Sequence, residues 1–262
     1  MKTNLVREKL SAGKATLGCF LGLGSPNVAE LLGHVGFEWL VIETEHSALD
    51  ITRVEQMLMA IQGTPAVPIV RLPSSDQVYI QRALDIGAMG IVVPLVKSVD
   101  EARAVVSATR YPPVGTRGFG PLRACNYMLD TKDYFYRSNE NILTILILET
   151  RGAVDNLEAI ASVPGVDVIY LGPFDLCLSL GLDPMKQPHP EVEGIIERML
   201  EIGEKTKVGM GIHAVNPEQL QKRLAQGFRM ISYSTDHMML SEAARRGLQA
   251  FDRDTPATES YK

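Results

Sequence analysis

Residues 143–149 read LTILILE, and the way this run is buried carries the fold. Five of its first six residues are apolar with no alternating polar face, so a strand here is covered on both sides. Continuous apolar strands of that kind belong to parallel sheets packed beneath helices. Similar runs stand at 16–21, 39–43 (WLVIE), 67–71, 89–93, 166–171, 208–211 and 228–232. Amphipathic helical stretches at 26–35, 50–62, 76–86, 99–109, 154–162, 190–205, 217–226 and 236–251 fill the gaps. Asp50 can cap the second of these. Gly36, Gly87, Gly165 and Gly227 precede strands, where a helix must end in a sharp turn. Eight strand–helix units predict an α/β protein, a (β/α)8 TIM barrel of eight parallel strands. The competing open, doubly wound sheet often carries a G-x-G-x-x-G turn after its first strand, and residues 21–27 read LGLGSPN instead.

The length fits that choice. A chain of 262 residues could be nearly two average domains, but α/β barrels routinely spend ~250 residues on one. Residues 1–262 are therefore expected to form a single barrel domain, with a polar, frayed tail at 252–262. Hydrophobic residues at 45% and charged residues at 22% exclude disorder. A formal net charge of −5 opposes binding to nucleic acid or an anionic membrane and favours small-molecule partners. Cys19, Cys125 and Cys177 are odd in number and lack C-x-x-C spacing, so reduced packing residues are expected. The first residues, MKTNLVREKLSAGK, hold no signal-like apolar run, and no 18-residue apolar window occurs; a cytoplasmic protein is expected. Residues 111–141 form one long connection without clear periodicity, of the kind used as a lid or oligomer contact.

Barrel enzymes build their sites from the loops after the strands. At those ends stand Glu43, Thr44, Glu45 and His46; Arg71; Glu149; Gly172, Pro173, Phe174 and Asp175; His213; and Asp236 with His237. Glu149 could equally pair with Arg151, Asp175 could cap a helix, and Arg71 could be an ordinary ion-pair partner. Together, Glu149 and Asp175 can offer hard oxygen ligands to a divalent cation. Arg71 can stabilise an oxyanion, and His46 is the best available proton carrier.

Six ordered strings, FEWLVIETEHSALD, VRLP, LDIGAMGIVVPLV, YPPVGTRGFGPLRA, LETRGAVDNL and YLGPFDLCLSLG, resemble the HpcH/HpaI aldolases from about residue 15 to 247. These are class II, metal-dependent pyruvate aldolases, with relatives acting on 2-keto-3-deoxy sugar acids and dihydroxyheptenedioate. The resemblance implies a TIM barrel assembled as a homohexamer, a trimer of dimers whose last helix packs on a neighbour. It matches Glu149 and Asp175 to the metal ligands, His46 to the general acid/base and Arg71 to the group that orients pyruvate. Asp85 matches the acid partnering the histidine, and Glu43 stands among the catalytic residues where relatives usually carry Asp. Gly172, Pro173, Phe174 and Asp175, with Ile212, match the pyruvate pocket. The implied cofactor is a divalent cation (Mg2+, Mn2+, Co2+ or Ni2+), with no organic cofactor. The implied reaction cleaves a 4-hydroxy-2-oxo acid reversibly into pyruvate, or a close 2-oxo acid, and an aldehyde.

Departures from the pattern bear on the aldehyde. Phe20 stands where Trp is common, Ile147 where many members carry Gln, Phe174 where a small residue is usual, and Cys177 where Ser is usual. Phe174 is expected to crowd the acceptor side. Two alternatives are a CoA-ester carbon–carbon lyase of the citrate lyase/malyl-CoA lyase type, which lacks an evident basic patch here, and a non-catalytic metabolite-binding barrel.

Overall fold

The structure is a computed structural model describing residues 1–251; the tail expected to fray, 252–262, lies outside the described residues. Its strands are β1 (Thr16–Leu21), β2 (Trp39–Glu43), β3 (Val67–Arg71), β4 (Gly90–Val93), β5 (Leu143–Leu148), β6 (Val168–Leu171), β7 (Gly209–Ala214) and β8 (Met230–Thr235). Each pairs in parallel with the next, and β8 returns to β1, closing an eight-stranded barrel. The helices are α1 (Leu5–Ser11), α2 (Pro26–Val35), α3 (Ile51–Gln62), α4 (Gln77–Asp85), α5 (Val99–Thr109), α6 (Thr131–Asn141), α7 (Arg151–Asp155), α8 (Leu157–Ala161), α9 (Pro173–Leu180), α10 (Pro190–Thr206), α11 (Pro217–Gln226) and α12 (Asp236–Phe251). No helix among the described residues is long and apolar enough to cross a membrane.

The apolar strands serve two cores. Alternate residues such as Val41, Ile69, Ile145 and Tyr170 fill the lumen, which Val6 and Leu10 of α1 close from below. Their neighbours, such as Ile42, Val70, Leu146 and Ile212, pack outward beneath the helices. Gly18 makes the lumen packing possible, because a Cβ there would fall inside the Trp39 ring. The expected caps and turns are present. Asp50 accepts from the Arg53 N–H (2.8 Å), and Gly36 and Gly227 end α2 and α11 in the left-handed region.

Several elements differ from the sequence reading. β6 starts at Val168, and β7 and β8 run on to Ala214 and Thr235, so His213 is a strand residue. The helix expected over 154–162 is broken at Asn156 into α7 and α8. α1 and α9 were not anticipated: each is about two turns long and too short to show a full apolar period. The connection at 111–141 also ends in a helix, α6. Its sequence, TKDYFYRSNEN, is almost wholly polar or aromatic, and only Tyr134, Ser138 and Asn141 are buried. The segment is anchored by Arg117, whose fully buried guanidinium lies 4.6 Å from the Tyr111 ring centroid and donates to Tyr134 Oη (3.0 Å) and Asp85 Oδ1 (2.7 Å).

Candidate active site

Arg71, the last residue of β3, organises the charged end of the barrel. Its Nη1 donates to Glu43 Oε2 at 3.1 Å. Its Nη2 is in ion-pair contact with Glu45 Oε2 and lies 4.0 Å from Glu149 Oε2. Arg71 Nε is buried with no hydrogen-bond partner among the described residues, so one donor of the guanidinium is left over. Three carboxylates around one cation, all at most partly exposed, make an acidic pocket with a single positive centre.

Glu43 holds the turn after β2 as well as Arg71. Its Oε1 accepts from the backbone N–H groups of Glu45 (2.7 Å) and His46 (3.1 Å). That turn presents His46, which is largely exposed, with Nε2 3.5 Å from Glu45 Oε2. Burial pushes the Glu45 carboxyl above its ordinary range, while Arg71 and His46 pull it back. Glu149 is nearly sealed; its Oε1 accepts from the Leu95 N–H at 2.6 Å. Burial pushes its pKa up to about 6, opposed by that N–H and by Arg71. Gly172 lies against it, where an added Cβ would sit 3.1 Å from Glu149 Cβ and 3.3 Å from its Oε2. Asp175, exposed in the first turn of α9, is near enough for its charge to raise both Glu45 and Glu149. Phe174 beside it is half-exposed, and Pro173 starts the helix. Among the described residues no three His, Cys, Asp or Glu side chains are arranged to hold a metal ion together.

The fold thus brings together Glu43, His46, Arg71, Glu149, Gly172 and Asp175. Two expected residues stand elsewhere. Asp85, matched to the partner of His46, is taken by Arg117 within this chain because the 111–141 segment folds back over α4. Ile212, matched to the pyruvate pocket, is buried in the outer core between barrel and helices, since strand alternation turns its neighbour His213 inward. Phe20 does face the lumen, edge-on to Trp39 and Tyr170. Glu45 had no assigned role; its signal was its place two residues beyond Glu43 on the same extended turn. The cysteines are free and buried, and burial raises Cys19 to about 12, as suits packing residues. Asp236 ties the barrel shut, accepting from the Gly22 (2.9 Å) and Leu23 (3.0 Å) N–H groups after β1.

A parallel barrel with its ionisable groups at the carboxyl ends of the strands is the frame of a small-molecule enzyme. The family model described as HpcH/HpaI aldolase/citrate lyase matches residues 16–243. The chain is 37% identical, over 92% of its length and 94% of the relative's, to a 2-dehydro-3,6-dideoxy-6-sulfogluconate aldolase of Pseudomonas putida. It is 35% identical to a 5-keto-4-deoxy-D-glucarate aldolase of Enterobacter sp. (strain 638), covering 95% and 97% of the two chains. A crystal structure of an HpcH/HpaI aldolase/citrate lyase family protein from Burkholderia cenocepacia superposes with a TM-score of 0.90, at 35% identity over 95% of this chain and 99% of that one. The chain belongs to the HpcH/HpaI aldolase/citrate lyase family and is a carbon–carbon lyase of the aldolase class.

Proposed function

We propose that this aldolase cleaves a 4-hydroxy-2-oxo acid into pyruvate, or a close 2-oxo acid, and an aldehyde, and that it does so with a divalent cation held by Glu149 and Asp175. The observation that carries the proposal is Arg71. Its guanidinium stands among Glu43, Glu45 and Glu149, and its buried Nε has no partner among the described residues, a donor that an anionic oxygen of the substrate would satisfy. The carboxylates suit a hard cation. Glu149 is buried with its pKa raised to about 6, one oxygen is tied to the Leu95 N–H, and Gly172 leaves room beside the other. Glu149 and Asp175 would hold such a cation through the hard carboxylate oxygens that Mg2+ and its relatives prefer. When bound, such a cation acts as a Lewis acid toward the 2-oxo group.

The chain's own residues supply the rest. Arg71 binds the ketone oxygen and stabilises the negative charge that grows there as the C3–C4 bond breaks. His46 takes the proton of the 4-hydroxyl, and the C4–O bond becomes the aldehyde carbonyl. The C3–C4 electron pair moves into the C2–C3 bond, and a returned proton on C3 completes the 2-oxo acid. Glu45, touching Arg71 and 3.5 Å from His46, holds both groups in register. Glu43 fixes the turn that carries His46.

The chain is further read as one barrel domain working in the cytoplasm as a homo-oligomer. Residues 240–251 of α12 are exposed, and they include Leu240, Leu248 and Phe251. The deciding experiment is pyruvate release from 4-hydroxy-2-oxo acids with Mn2+ or Mg2+, with and without chelator. Loss of even outer-shell partners costs metal sites about 10–100-fold, so Glu149→Ala and Asp175→Ala should each lose more than about 100-fold in kcat/KM with unchanged circular dichroism. Near-normal turnover by either variant would overturn the metal assignment.

A further inference from the structure

A hydrogen-bonded chain that the mechanism does not use links β6, β7 and β8. Tyr170 Oη is 2.6 Å from Ser232 Oγ, and His213 Nδ1 is 2.6 Å from the same oxygen. His213 and Ser232 are register partners on β7 and β8. Tyr170 reaches across because Gly211, its register partner on β7, has no Cβ to block the ring. Tyr170 and Ser232 are buried, whereas His213 is only partly so.

Counting protons orders the chain. Among the described residues, Ser232 is the one hydrogen-bond partner of the Tyr170 hydroxyl. If the phenol donates to Ser232 Oγ, the serine proton goes to His213 Nδ1, and the histidine proton must sit on Nε2. The reverse order strands the phenol proton in a buried place without an acceptor, which is the costlier arrangement. Burial also pushes His213 down to about 4, so at neutral pH the ring is uncharged and carries one N–H. Its Nε2 has no partner among the described residues, yet it is not one of the buried orphaned atoms, so it is accessible to solvent. In a closed ring of eight strands β7 stands diametrically opposite β3, which carries Arg71.

We infer that His213 Nε2–H is a specificity donor that recognises an uncharged oxygen on the part of the substrate facing away from Arg71, and that Ser232 and Tyr170 are positioning residues that fix its tautomer. The oxygen is a hydroxyl or carbonyl of either half of the substrate: a hydroxyl on C3 of the 2-oxo acid, or one beside the carbonyl of the aldehyde. The inference rests on the aldolase reading of the same site. A donor committed to an oxygen discriminates against partners lacking it, because it is then left unpaired.

The test uses aldol formation by the intact enzyme with Mn2+ in two arms. One compares hydroxypyruvate with pyruvate against a common aldehyde; the other compares glycolaldehyde with acetaldehyde against pyruvate. The wild type should favour the hydroxyl-bearing member in one arm, and His213→Leu should reduce that preference about 10-fold or more. Ser232→Ala should reduce it in the same arm by a smaller factor. Nitrogen-15 NMR of the wild type should find the His213 proton on Nε2 at neutral pH, and Tyr170→Phe should mix the tautomers. A preference unchanged by His213→Leu in both arms, or a proton resident on Nδ1, overturns the inference. If the wild type forms no aldol with any pair, the aldolase reading fails, and this inference fails with it.

Discussion

Arg71 shows how much one residue can gather. A guanidinium has five donors in a rigid fork, and here the fork meets Glu43 and Glu45 from the end of β2 and the turn after it, and Glu149 from the end of β5. Removing one partner's charge should disturb the others, because the pocket is largely shielded from water. Glu45→Gln keeps the shape but breaks the ion pair, so we expect kcat to fall about 10-fold or more while the melting curve barely moves; steady-state kinetics with a thermal melt checks this. His213 makes a prediction of opposite character. Burial lowers its pKa from 6.5 to about 4, so the folded state favours the neutral ring. That contribution to stability is complete above pH 6.5 and is lost as pH falls through 4. His213→Gln should therefore lose less stability than the wild type between pH 6.5 and 4, read from urea midpoints at stepped pH. That Glu149 stands at the end of β5 was legible in the sequence, because it directly follows the continuous apolar run at 143–148, although an ion pair with Arg151 read equally well. The partner of Asp85 was not legible, since it depends on where Arg117 lands within an irregular loop.

At the scale of elements, periodicity worked where helices and strands are long and failed where they are short or polar. The limits of β1, β2 and β3 match the apolar runs at 16–21, 39–43 and 67–71. β7 was cut short at 211 because the Gly-Met-Gly start hides its alternation, and only the pairing of Ile212, His213 and Ala214 with β8 shows that the strand continues. Helix α6 depends on burying Tyr134 beside Tyr111 and Arg117, a tertiary contact that helical propensity does not report. Two predictions belong here. Gly18→Ala places a methyl into the Trp39 ring between β1 and β2, and overpacking of that kind costs about 1–3 kcal/mol, visible as a lowered unfolding midpoint. Phe174, half-exposed in the first turn of α9 beside Asp175, is placed to limit the acceptor aldehyde. Phe174→Ala should raise the turnover of a long aldehyde relative to a short one; an unchanged ratio would remove Phe174 from specificity.

At the scale of the whole molecule, the ring of strands sets what can be opposite what. β3 carries Arg71 and β7 carries His213, and no local signal in either strand states that the two strands stand opposite each other in the ring. The last helix is the other whole-molecule feature: beyond Met239 its described residues are exposed, Leu240 and Leu248 among them. Exposed apolar faces of that kind mark contact surfaces. Leu240→Glu combined with Leu248→Glu should shift the protein to a smaller species in light scattering without loss of helical signal. An unchanged mass would show that α12 is not the contact.

The order of apolar runs was enough to specify a closed parallel barrel, because strands buried on both faces and joined by helices have few other ways to hide their surface. It also placed Glu43, His46, Arg71, Glu149 and Asp175 at one end, since all follow or finish strands that run the same way. Which of them touch, which donor of Arg71 is left over, and which face of β7 meets the lumen were settled by three-dimensional packing. Those are distances of a few ångströms between residues far apart in sequence, and strand alternation turns a one-residue difference, Ile212 or His213, into the difference between outer core and barrel lumen.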